Sequence, residues 1–74
     1  AARRAPGAAE PQPPPGLDEP GRALWLAAAA GPAPAEALAA RAGLPIDRAL
    51  AHLLTLELSG HLRRAPDGTY APPG

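Results

Sequence analysis

A mainly α domain closed by a small β-hairpin is the fold this sequence predicts, on three observations. Three stretches with helical apolar spacing are punctuated by Gly31-Pro32, by Gly43-Leu44-Pro45 and by Gly60. Beyond them, Pro66-Asp67-Gly68 sets a turn between two short segments able to pair as strands. The chain has 74 residues, and 20 Ala, 12 Pro, 11 Leu and 8 Gly fill most of them, enough for one small core and no more.

The elements follow in order. Ala1 to Gly16 holds five Pro and five Ala and no bulky apolar residue. It buries too little to offset its ordering entropy, so residues 1–17 are predicted to be a disordered interdomain linker. The Pro-rich run Pro11 to Pro15 favours extended polyproline II. Asp18 is a good N-cap, Glu19 suits a first turn and Pro20 tolerates one, which predicts a helix over Glu19–Ala30. Leu24, Trp25 and Ala28 share its inner face, while Gly21 weakens its start. Pro34 to Ala42 reads as a short second helix with Leu38 and Ala42 on one side, together with Ala35 or Ala39, capped by Gly43. Ile46 to Ser59 reads as the third. On its wheel Ile46, Leu50, Leu53 and Leu56 or Glu57 form the predicted buried sector, with Ala49 beside them. Asp47, Arg48, Ala51, His52 and Thr55 fall opposite. His61 to Ala65 and Thr69 to Pro72 read as two strands, with Leu62 and Tyr70 turned to the core.

Helix, short helix, glycine turn, helix and hairpin make a winged helix-turn-helix of three helices plus a wing, predicted over residues 18–74. A linker ahead of such a domain implies a module from the C-terminal part of a larger protein.

Composition excludes several functions. Seven Arg balance seven carboxylates, so the chain is no polybasic nucleic-acid binder. It has no Cys, hence no disulfide framework and no thiolate zinc site. His52 and His61 lack a third ligand at metal spacing. Every apolar run is interrupted short of the ~18 residues of a membrane span, and no signal peptide is read at the start. No nucleophilic triad, phosphate loop or nucleotide fingerprint is present. The expectation is a non-enzyme with no cofactor, no metal, no small-molecule substrate and no membrane contact.

Several strings taken together carry a resemblance. These are Ala37-Leu38-Ala39-Ala40-Arg41-Ala42-Gly43-Leu44-Pro45, Ala49-Leu50, Leu53-Leu54-Thr55-Leu56-Glu57-Leu58-Ser59-Gly60, Arg63-Arg64 and Gly68-Thr69-Tyr70. Over Leu17 to Tyr70 the chain resembles the C-terminal winged-helix domain of the DNA-processing protein DprA (Smf). His61-Leu62 departs from the two aliphatic residues usual there. The resemblance implies a bacterial, cytoplasmic parent. Its Rossmann-like domain, absent from this chain, binds single-stranded DNA and helps load RecA in natural transformation and DNA recombination.

The candidate DNA-contacting residues are Arg48, His52 and Thr55 on the third helix, Arg63 and Arg64 on the wing, and Arg41 as a backbone contact. A single base-reading Arg beside Asp47 is a thin set. Weak contact with duplex or single-stranded DNA is therefore one expectation. The other is protein interaction, by self-association or by docking RecA or the parent's Rossmann-like domain. Its motive is the zero net charge and the Ala/Leu-rich surface. Glu57, near the buried sector, needs a cation, and Arg64 is the sequence-near choice. Trp25 is predicted to be a core anchor.

Overall fold

The computed structural model describes residues 12–73. Of the predicted linker, residues 1–11 lie outside the described residues, while its last residue, Leu17, packs against the core.

Helix α1 spans Glu19–Ala30, as predicted. The Asp18 carboxylate accepts the Gly21 N–H at 3.0 Å, satisfying one of the donors a helix start leaves open. A Cβ on Gly21 would lie 2.8 Å from that carboxylate oxygen, so the glycine that costs helix propensity also makes room for the cap. Strand β1, Ala33–Pro34, was not foreseen. Because Pro34 lies in this extended stretch, helix α2 starts one residue later than predicted and covers Ala35–Ala42. It ends on Gly43, whose φ of 72° is the left-handed cap that glycine adopts without strain. Helix α3 spans Ile46–Leu58, one residue shorter than predicted. Past its end the His61 N–H returns to the Leu56 carbonyl at 2.9 Å.

The strands are shorter than expected: β2 is Arg63–Arg64 and β3 is Thr69–Ala71. The antiparallel sheet runs β1-β3-β2, so β3 is central, with Tyr70 opposite both Ala33 and Arg64. The wing turn closes through the Gly68 N–H on the Ala65 carbonyl at 2.9 Å. The Asp67 carboxylate accepts the Thr69 N–H at 3.0 Å and its hydroxyl at 2.8 Å. Those two donors, the backbone amide first, hold the Asp67 carboxyl below its ordinary range.

The core joins Leu24, Trp25 and Ala28 of α1, Leu38 and Ala39 of α2, and Ala49, Leu53 and Leu56 of α3. Ala33, Leu62 and Tyr70 close it from the sheet side. Trp25 is the predicted anchor, and its Nε1 donates to the His61 carbonyl at 3.1 Å, pinning the root of the wing to α1. Three helices and a small three-stranded sheet in this order form a mainly α winged helix.

The rotation of α3 corrects the sequence reading. Ile46 and Leu50, predicted to be buried, are 43% and 48% exposed. Ala49, predicted beside the buried sector, lies fully within it, together with Leu53 and Leu56. Ala49, Leu53 and Leu56 supply the side of α3 that enters the core, and with that side inward the helix carries Ile46 and Leu50 outward.

Candidate functional site

Helix α3 has three distinct faces. At about 100° per residue, Ala49, Leu53 and Leu56 face the core. Arg48, His52 and Thr55, spaced i, i+4, i+7, form a polar flank. Ile46, Leu50, Leu54 and Leu58, spaced i, i+4, i+8, i+12, form an apolar row open to solvent, with Leu54 and Leu58 at 56% and 79% exposure.

The polar flank gathers three of the predicted contact residues. Arg48 is exposed. His52 is half-buried, and its Nδ1 lies 3.9 Å from Asp18 Oδ2, so α3 meets the N-cap of α1 there. Thr55 is exposed but donates its hydroxyl to the Ala51 carbonyl at 3.2 Å. Leu17, Asp18, Gly21, His52, Thr55 and Leu56 line an open cleft between the two helices. A phosphate approaching His52 therefore meets the Asp18 carboxylate.

The wing places its arginines elsewhere. Arg63 and Arg64 are both exposed. Arg64 Nε stands 3.9 Å from Glu57 Oε2, the partner predicted for that carboxylate, which is half-buried. Glu57 lies on the edge of α3 between the core face and the apolar row. The row therefore separates the wing arginines from the Arg48 flank. A duplex touching both would lie across the aliphatic side chains.

Arg41 belongs to neither group. Its Nη1 donates to the carbonyls of Gly31 at 2.9 Å and Ala27 at 3.2 Å. The last turn of α1 holds no basic residue of its own, so Arg41 reaches across from α2 to the negative end of that helix. The signal for this was in the sequence: an α1 terminus of four alanines with no cation.

The apolar row is the surface feature that sequence reasoning missed. Its residues are aliphatic and evenly spaced, which reads as core until the rotation of the helix is known. Among the described residues, no group of three or more His, Cys, Asp or Glu could hold a metal ion. No described helix is long and apolar enough to cross a membrane.

Neither the curated proteins nor the solved structures yield a match to this chain. The family model of the DprA winged helix domain matches residues 8–68, a span that takes in all three helices, β1, β2 and the wing turn. With that match covering most of its length, and with the three-helix, three-strand order in place, the chain belongs to the DprA winged helix domain family.

Proposed function

We propose that this chain is a non-catalytic accessory module of a DprA-like DNA-processing protein in natural transformation and recombination, and that α3 is its protein-docking element. One observation carries this reading. The outward side of the helix that lies in the groove in a DNA-reading winged helix exposes Ile46, Leu50, Leu54 and Leu58. Groove-reading helices place Arg, Asn or Gln against base edges and Lys or Arg against phosphates. A row of aliphatic side chains is instead the anchor set of a helix-to-protein contact. Charge agrees: from Leu17 onward the chain has five Arg and six carboxylates.

A second reading rests on the wing. Arg63 is exposed and has no ion-pair partner among the described residues, so a weak phosphate or minor-groove contact centred on it is proposed beside the docking face. Fold alone does not choose between these, since winged helices serve both uses.

The test is a titration of the isotopically labelled chain with a duplex and with single-stranded DNA, at low and at high salt. The expected result is amide shifts at Arg63 and Arg64 that fade as salt rises, with Leu50 to Leu58 unmoved. Salt-sensitive shifts running along Leu50, Leu54 and Leu58 would reject the docking reading. The absence of any shift would reject the wing contact.

A further inference from the structure

Resting on the wing contact proposed above, we infer that Glu57 limits it: its carboxylate competes with DNA phosphate for Arg64. Of the two wing arginines, Arg63 then meets a phosphate freely, and Arg64 does so only by leaving Glu57. Glu57 is thus a positioning residue, acting on DNA through Arg64.

The register of the sheet separates the two arginines. Arg64 stands opposite Tyr70 of β3, and Arg63 opposite Ala71. Opposed residues share a face of a sheet, and successive residues alternate between faces. Tyr70 is buried in the core, so Arg64 shares the face turned toward the helices. There it meets the last turn of α3, where Glu57 is the residue before the helix end. Arg63 projects from the other face, where Thr69, Ala71 and Pro72 line a cleft with it. Among the described residues a carboxylate reaches Arg64, and none reaches Arg63.

The pair is built as a competitor more than as a tie. Arg64 Nε lies 3.9 Å from Glu57 Oε2, beyond hydrogen-bond reach, and the side chains are 58% and 31% exposed. Water screens such a pair, and it adds little to the stability of a fold. Glu57 also has no other polar duty among the described residues. Asp18 caps α1 and Asp67 holds the wing turn, but the Glu57 carboxylate accepts no hydrogen bond there. A phosphate offers a guanidinium two parallel hydrogen bonds at ~2.7–2.9 Å, a better partner than this carboxylate. Contact with DNA through Arg64 therefore requires breaking the pair, and it leaves Glu57 beside the incoming phosphate as a like charge.

The test repeats the DNA titration with variants. Glu57→Gln keeps the shape of the side chain and removes its charge. Its wing shifts are expected at DNA concentrations about two- to fivefold lower than those of the parent chain. The salt dependence should steepen by about one phosphate, a change in slope of ~0.7–0.9. In an Arg64→Gln background, Glu57→Gln should gain no more than Glu36→Gln does, an equal change of charge at an exposed residue of α2. Arg64→Gln alone should weaken binding less than Arg63→Gln. Circular dichroism verifies that each variant stays folded. An equal gain from Glu57→Gln with and without Arg64 would mean a general charge effect and overturn the inference. So would a parent chain that binds and a Glu57→Gln chain that binds no better. If Glu57→Gln does not fold, Arg64→Gln weakening binding as much as Arg63→Gln would overturn it instead. The absence of DNA shifts in both the parent chain and Glu57→Gln would reject the wing contact itself, and the inference with it.

Discussion

Asp18 and Gly21 show how two residues three apart depend on each other. The carboxylate caps α1 through the Gly21 N–H, and a methyl group at position 21 would fall 2.8 Å from it. Gly21→Ala should gain about 1 kcal/mol of helix propensity, yet displace a cap worth ~0.5–2 kcal/mol. The expected net change is close to zero. In an Asp18→Ala background, where no cap remains to be lost, the same change should stabilise. Thermal melts of the four chains check this, and a large gain from Gly21→Ala in the native background would contradict it. At the wing tip Asp67 is held charged by Thr69. Its folded carboxyl titrates below the unfolded one. Its contribution is therefore fully present above the ordinary Asp range and is lost as pH falls through the lowered value. Asp67→Ala should flatten the acid limb of stability, with the Thr69 amide shift no longer following pH. An unchanged acid limb would remove this contact from the account.

Helix α3 is where sequence and structure part. The helix boundaries were legible to within one residue, most clearly where a local device sets them: the Asp18 cap, Gly31-Pro32, the left-handed Gly43, the glycine after Ser59. The wing was legible for the same reason, through Pro66-Asp67-Gly68. Rotation has no local device. Ile46, Leu50, Leu53, Leu54, Leu56 and Leu58 spread aliphatic side chains around so much of the helix that the wheel has no single apolar centre. The decision falls to packing against the rest of the core, which takes Ala49 inward with Leu53 and Leu56. Strand β1 was invisible for a related reason. It is two residues long, ends in proline and exists only through its pairing with Tyr70 and Thr69 of β3. Adjacent leucines in α3 make the sharpest test at this scale. Leu53→Ala should cost about 2–5 kcal/mol, as for a fully buried leucine. Leu54→Ala should stay within about 0.5 kcal/mol of the parent. Denaturant melts giving equal costs would contradict the assigned rotation.

At the scale of the molecule, zero net charge and an apolar outward row have one consequence. No broad positive field is available to attract DNA, so the proposed wing contact depends on local groups, chiefly the exposed Arg63 and Arg64. Arg63→Ala with Arg64→Ala should abolish salt-sensitive DNA shifts while the melting curve changes little, since both side chains are exposed. Retained binding in that variant would take the wing out of the interface. The candidate site was thus legible by residue type but not by arrangement. The six residues named from sequence occur in three separate places: the Arg48 flank, the wing and the end of α1. The row between the first two belongs to the rotation that the wheel could not supply. The docking reading of α3 rests on that rotation. It is tested most directly by adding a soluble paramagnetic agent to methyl-labelled chain and measuring relaxation of the leucine methyl groups. The account predicts strong enhancement at Leu50, Leu54 and Leu58, with Leu53 and Leu56 protected. Protection of Leu50 and Leu54 comparable to that of Leu53 would contradict it.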